Sequence, residues 1–266
     1  MITDSTFGTM LSQWLTIHTL DRRPRTVEFN TEIFNIIKAA WPVWDLPAVL
    51  VTVEQVLTFA QTVSHYCPSR WNAIVGAVRF ATPHGFKLPL RAVRVRQFTP
   101  PNQTEFAALL VECDDAPRSQ AGLTVRFLSL TGARITEAKA LRWPDVKVDH
   151  ICISSQTKNG LTRCVPFLPG IADVLERLMC LDHAGFVLPR ENARKAIASA
   201  CVRAGVPHMS FHCFRHLFAT RCIQSGVDMP TVARWLGHRD GGALLARTYY
   251  HLADGHSQTM AARVRI

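Results

Sequence analysis

The chain has 266 residues, 48% hydrophobic and 19% charged, and its 30 Lys and Arg against 20 Asp and Glu leave a formal net charge of +10. That length and apolar content support one large core or two smaller ones. No apolar run reaches the roughly 18 residues of a membrane-spanning helix, and the start MITDSTFGTM lacks the features of a secretory signal, so a cytoplasmic protein is expected. The positive balance points to nucleic acid, though a soluble basic enzyme would share it. Cysteines at 67, 113, 152, 164, 180, 201, 213 and 222 form no CxxC pair, which favours reduced thiols over a disulfide framework or a structural zinc site.

In chain order, Phe7, Leu11, Trp14, Leu15 and His18 recur at helical spacing over residues 6–19. Thr26 opens a second helical stretch whose buried stripe reads Phe29, Ile33, Phe34, Ile36 and Ile37. WPVWDLP (41–47), with two prolines, reads as a structured loop. Thr52 with Gln55 three residues on is a capping box for a helix from Val53 to about Ser64, and a fourth helix runs from about Ser69 to Ala81. Four helices with little strand signal make a small all-α domain, residues 1–97. The run at 87–103 carries Lys87, Arg91, Arg94 and Arg96, no carboxylate, and prolines at 89, 100 and 101. It reads as an exposed linker and also as a cationic strap along a phosphate backbone; the two are compatible.

A second domain, 104–266, is expected to be mainly helical with one small antiparallel sheet. Phe106, Leu109 and Leu110 mark one helix; Leu123 to Leu130 mark another, ending at Thr131-Gly132. Arg134 stands at the start of a short helix, ITEAKALRW, which Pro144 closes, with Glu137 one turn along as a support for that cation. Asp145 to Ser154 alternates as a strand, and Asn159-Gly160 in QTKNGLTRCVPF signals a two-residue hairpin with Lys158 at or just before its tip. Helices resume at Ile171–Asp182 and Glu191–Ala204.

The stretch Ser210 to Leu252 holds the densest chemistry. His212 and Arg215 are three apart on a helix and share a face. Gly237 ends a helix carrying Val232, Trp235 and Leu236 and leaves His238 on a turn, while Gly241-Gly242 breaks the pattern before a last short helix, Ala243 to Tyr250. Cations, imidazoles and a phenol without a paired acidic cluster suit an anionic substrate attacked by a tyrosine.

TGARITEAKALRWPDV (131–146), TKNGLTRCVPF (157–167), HCFRH (212–216), LGH (236–238) and RTYYHL (247–252) occur in this order, and with them the chain resembles the tyrosine recombinases of the phage integrase and Xer type. The resemblance implies a four-helix SAM-like core-binding domain, then a mainly helical catalytic domain with a small antiparallel sheet. It implies a site-specific DNA recombinase or integrase that cuts and rejoins strands through a 3′-phosphotyrosyl intermediate. Arg134 and Arg215 would clamp the scissile phosphate, Lys158 would protonate the departing 5′ oxygen, and His212 would assist proton removal from the nucleophile. His238 would hydrogen-bond a phosphate oxygen, and Tyr249 would attack phosphorus. Lys87, Arg91, Arg94 and Arg96 would bind the DNA backbone. The implied partners are double-stranded recombination sites, a homotetramer assembled on DNA from free monomers, and accessory DNA-bending proteins, with no membrane, cofactor or metal. The tail 253–266 would dock on a neighbouring subunit. The step from His238 to Tyr249 is longer than is usual in the family, and Tyr250 adjoins the nucleophile position.

Two other functions compete. One is a catalytically silent DNA-binding protein of the same fold that organises or represses a site; six filled catalytic positions argue against it. The other is a zinc-dependent hydrolase built on His208, His212, Cys213 and His216, against which stand the lack of an HExxH motif and the fixed cation Arg215 beside the metal.

Overall fold

Two hydrophobic cores with no residue in common organise the chain. The computed structural model describes residues 5–82, 88–93, 99–115, 120–154, 162–181, 184–238, 242–243 and 245–246. The chain divides into two compact units, Met1–Arg96 and Gln97–Ile266, a break that falls inside the basic run.

In the first unit, α1 (Phe7–Thr19) packs on α2 (Pro24–Ala40) and α4 (Pro68–Ala81), with α3 (Val53–Thr62) completing the set. Helix α3 starts at the expected capping box: Thr52 Oγ1 accepts from the Gln55 amide at 3.3 Å, and Gln55 Oε1 accepts from the Thr52 amide at 3.0 Å. The proline-bearing loop does the equivalent work for α1. Its Leu46 and Trp44 carbonyls accept from the Phe7 and Gly8 amides, donors that have no partner within a helix. Phe7, Leu11, Ile33, Ile37, Phe59 and Ile74 are fully buried between these helices. Phe29, expected in the buried stripe of α2, instead lies on the surface. Helix α2 begins two residues earlier than expected because Pro24 occupies a first-turn position, where its missing N–H costs nothing.

In the second unit, α6 (Ala121–Thr131) is buried on nearly every side, as expected of a central helix. Around it pack α5 (Gln103–Asp114), α8 (Ile171–Met179), α9 (Arg194–Arg203) and α10 (Phe211–Gln224). The short α7 (Ile135–Ala140) leads to strands β1 (His150–Ser154) and β2 (Thr162–Pro166), and α11 (Met229–Leu236) follows α10. The sheet is antiparallel, pairing Ser154 with Thr162 and Cys152 with Cys164. Strand β1 is shorter than the alternation from Asp145 suggests. Trp143–Asp145 form a 3-10 turn, Val148 is 96% exposed, and the Lys147 amide folds back onto the His150 carbonyl at 2.8 Å. The mostly helical, two-domain fold with a small antiparallel sheet is therefore as expected.

Candidate active site

Helix α11 ends in a way that fixes several candidate residues at once. Gly237 takes the left-handed conformation (φ 70°), its amide donates to the Arg234 carbonyl, and the His238 amide donates to the Ala233 carbonyl at 2.9 Å. This is the paired closure of a Schellman motif, and it sets His238 on the turn immediately after the glycine. The last two carbonyls of the helix are taken by arginines from elsewhere. Arg163 Nε on β2 donates to the Trp235 carbonyl at 2.7 Å, and Arg215 Nη2 on α10 donates to the Leu236 carbonyl at 2.5 Å. All four carbonyls that a helix leaves open are thus satisfied, two of them by cations facing the negative end of the helix dipole.

Arg215 is almost wholly buried, and its Nη1 donates to the Gly132 carbonyl at 2.7 Å. Gly132 closes α6, so one guanidinium ties the ends of α6 and α11 to the side of α10. Two residues further on, Arg134 precedes α7. Its amide donates to Glu137 Oε2 at 2.9 Å and its Nη1 donates to Glu137 Oε1 at 2.8 Å. The carboxylate returning to the helix start is the acidic half of a capping box, and it also aims the Arg134 side chain.

Glu137 is buried, and its Oε2 also accepts from Arg163 Nη2 at 2.6 Å. Burial by itself would raise this carboxyl, but the Arg163 hydrogen bond, the Arg134 amide, the Arg163 charge and the Arg134 side-chain hydrogen bond hold it down to about 2. Arg163 therefore links Glu137, the support of Arg134, to the end of α11 that presents His238. Arg163 was not among the residues singled out from sequence. Its signal was nonetheless present: it occupies an inward phase of β2, alternating with Val165, and a charge at such a position demands a buried partner.

The imidazoles complete the cluster. His212 meets His216 edge-on, with ring centroids 4.6 Å apart, so its ring is partly shielded although the residue reaches the surface. Partial burial, then the charges of Arg215 and Arg134, hold the His212 pKa below its usual value. His216 is pushed down to about 4 by burial, with His212, Arg215 and His238 adding to the effect. Both rings are thus neutral at pH 7, and Arg134, His212, Arg215 and His238 share one electrostatic neighbourhood. Lys158, Tyr249 and Tyr250 lie outside the described residues, as do Lys87, Arg94, Arg96 and the tail 253–266.

Arg91, the remaining member of the basic run, is engaged within the first unit. Its Nη1 donates to the Ser64 and Tyr66 carbonyls at 2.8 and 3.0 Å, its guanidinium lies 4.0 Å from the Trp71 ring centre, and its amide donates to Asn72 Oδ1 at 2.8 Å. Among the described residues the histidines and cysteines of α10 do not assemble a three-ligand group; the one such group is formed by His150, Cys152 and Cys164 on the sheet.

A profile of the phage integrase family matches residues 102–256, which include each of the catalytic candidates. The chain belongs to the phage integrase family. Over 146 residues it is 28% identical to the tyrosine recombinase XerD of Neisseria meningitidis serogroup B, covering 49% of this chain and 50% of that one. The chain spans about half the length of the curated relatives it matches. Among solved structures, the catalytic domain of bacteriophage HP1 integrase is similar at 26% identity and a TM-score of 0.52, covering 62% of this chain and 94% of that one. A lambda integrase tetramer bound to a Holliday junction superposes with a TM-score of 0.75 at 14% identity, covering 93% of this chain and 78% of that one. This second likeness extends the integrase fold across both units.

Proposed function

We propose that this phage integrase family member is a site-specific DNA recombinase that cuts and rejoins strands through a 3′-phosphotyrosyl intermediate. The observation that carries the reading is the gathering of Arg134 before α7, His212 and Arg215 on α10 and His238 after α11 around the ends of α6 and α11. Two arginines with fixed charge suit a phosphodiester, and their planar forks fit its oxygens as the transition state gains negative charge. Tyr249 Oη attacks phosphorus and forms the phosphotyrosyl bond as the bond to the 5′ oxygen breaks. Neutral His212 accepts the phenol proton, Lys158 gives a proton to the departing oxygen, and His238 donates to a phosphate oxygen. Reversal with a different 5′ hydroxyl rejoins the strand. The phosphotyrosyl link retains the energy of the broken bond, so the cycle needs neither ATP nor a metal. DNA sites are the substrate, and the likeness to a tetramer on a Holliday junction supports a homotetrameric assembly.

The decisive experiment maps the covalent bond. Tyr249→Phe should bind nicked or mismatched site DNA and form no adduct, whereas Tyr250→Phe should still form one. Neighbouring residues on a helix point about 100° apart, so both phenols cannot serve one phosphate. An adduct on Tyr250 would overturn the assignment of the nucleophile. DNA binding with no adduct from the unsubstituted chain would favour a catalytically silent DNA-binding protein.

A further inference from the structure

Apart from the recombinase site, the β1–β2 hairpin gathers ligands on its other face. Ile151, Ile153, Arg163 and Val165 point inward, and His150, Cys152 and Cys164 alternate with them to point outward. Cys152 stands directly opposite Cys164, with their sulfurs 3.4 Å apart, and His150 lies two residues before Cys152 on the same face. One ligating atom from each of the three lies within 4.8 Å of the others. We propose that this outward face binds a soft d10 cation, of which zinc is the type, through the thiolates of Cys152 and Cys164 and the imidazole of His150.

The distances suit that ion. Zinc–sulfur bonds of about 2.3 Å in a tetrahedron set the two sulfurs about 3.8 Å apart, so small side-chain rotations bring the pair into place. His150 is already oriented: Asp149 Oδ1 lies 2.6 Å from its Nδ1, which leaves Nε2 to ligate and makes the ring a better donor. Two thiolates and a neutral imidazole give a divalent ion a neutral site, with Lys147 and Asp145 as further charged neighbours. Cys164 is exposed, so the site has an entry path, and the fourth position faces solvent. A bound ion would staple the two strands three residues from either end of the segment 155–161, which contains Lys158. The same pair could instead close as a disulfide given an oxidant. The third ligand on the same face, already paired with a carboxylate, favours the metal.

The test uses the full chain, reduced with a phosphine and titrated with cadmium as a spectroscopic stand-in for zinc. Thiolate-to-cadmium charge transfer in the ultraviolet should saturate at one equivalent, and zinc should displace it competitively. Cys152→Ser/Cys164→Ser should lose that band, while circular dichroism reports an intact fold because neither side chain enters the core. His150→Asn should weaken binding by about tenfold or more. Cys164→Ser alone, at an exposed position, serves if the double variant is destabilised. An unchanged band in the double variant would assign the signal to other thiols and overturn the proposal, as would saturation only at millimolar metal. Peptide mapping that finds a Cys152–Cys164 disulfide forming equally fast with zinc present would replace the metal site with a redox pair.

Discussion

Glu137 and Arg163 show how much of the candidate site depends on buried residues that hold other side chains in place. Each is buried; removing Glu137 strands the Arg163 charge away from water, a loss of about 3–5 kcal/mol, whereas removing Arg163 leaves Glu137 held by Arg134 alone. Arg163→Ala should therefore lower the melting temperature markedly, and Arg163→Lys should recover only part of it, because lysine cannot reach Glu137 and the Trp235 carbonyl with a planar fork. The sign of the Glu137 contribution follows from its depressed pKa. The contribution is fully present above the ordinary carboxyl value of 4.5 and disappears as pH falls toward about 2. Glu137→Gln should accordingly flatten the loss of stability across that window in acid titration. His212 titrates in the opposite chemical sense. In the proposed mechanism its neutral form accepts the phenol proton, and burial with the Arg215 and Arg134 charges extends that form to lower pH. By NMR titration the His212 ring should lose its proton below the 6.5 of an ordinary imidazole, and Arg134→Gln should move that titration upward; an ordinary value in both proteins would refute the coupling. Arg134, His212, Arg215 and His238 were legible because each sits in a short motif with its own spacing. Arg163 was harder to read, since its alternation with Val165 acquires meaning only once the buried face of the strand is known.

At the scale of elements, helix starts were easier to read than strand register. The Thr52–Gln55 box fixed the start of α3 to the residue, because capping is local chemistry. A two-residue turn at Asn159-Gly160 would set Ser154 opposite Val165, pairing solvent-facing positions of one strand with core-facing positions of the other. The observed pairing of Ser154 with Thr162 keeps Ile151, Ile153, Arg163 and Val165 together on the buried face. That same register brings Cys152 beside Cys164, so the thiol pair could not be seen from cysteine spacing alone. The end of α11 offers a direct test of how tightly elements meet. A Cβ at Gly237 would stand 3.0 Å from Arg163 Cδ, whereas a Cβ at Gly170, also at positive φ, would meet nothing within 4 Å. Gly170→Ala should cost only the left-handed backbone penalty of about 1–2 kcal/mol. Gly237→Ala should cost more and should also slow adduct formation, since it displaces Arg163 and shifts His238. Equal melting temperatures for the two variants would show that Arg163 yields freely.

Across the whole molecule, the division into two units was legible because composition changes sharply at the basic run, which has four cations and three prolines but no carboxylate. The separate cores imply that Met1–Arg96 and Gln97–Ile266 each unfold cooperatively when expressed alone. What the composition does not reveal is that Arg91 is engaged within the first unit. Arg91 holds Ser64, Tyr66 and the Trp71 ring, and neighbouring Leu88 is buried in the first core. Arg91→Gln should therefore lower the melting temperature of the isolated Met1–Arg96 unit and leave the salt dependence of DNA binding nearly unchanged. Lys87, Arg94 and Arg96 are the cations expected to meet phosphate. Each counterion-releasing contact contributes roughly 0.9 to the slope of log affinity against log salt, so neutralising all three should flatten it by about 2–3. The two readouts separate the roles: melting reports the anchor, and the salt slope reports the phosphate contacts. If the triple variant binds DNA with the slope of the unsubstituted chain, the run is a tether alone, and the electrostatic affinity must come from other parts of the protein.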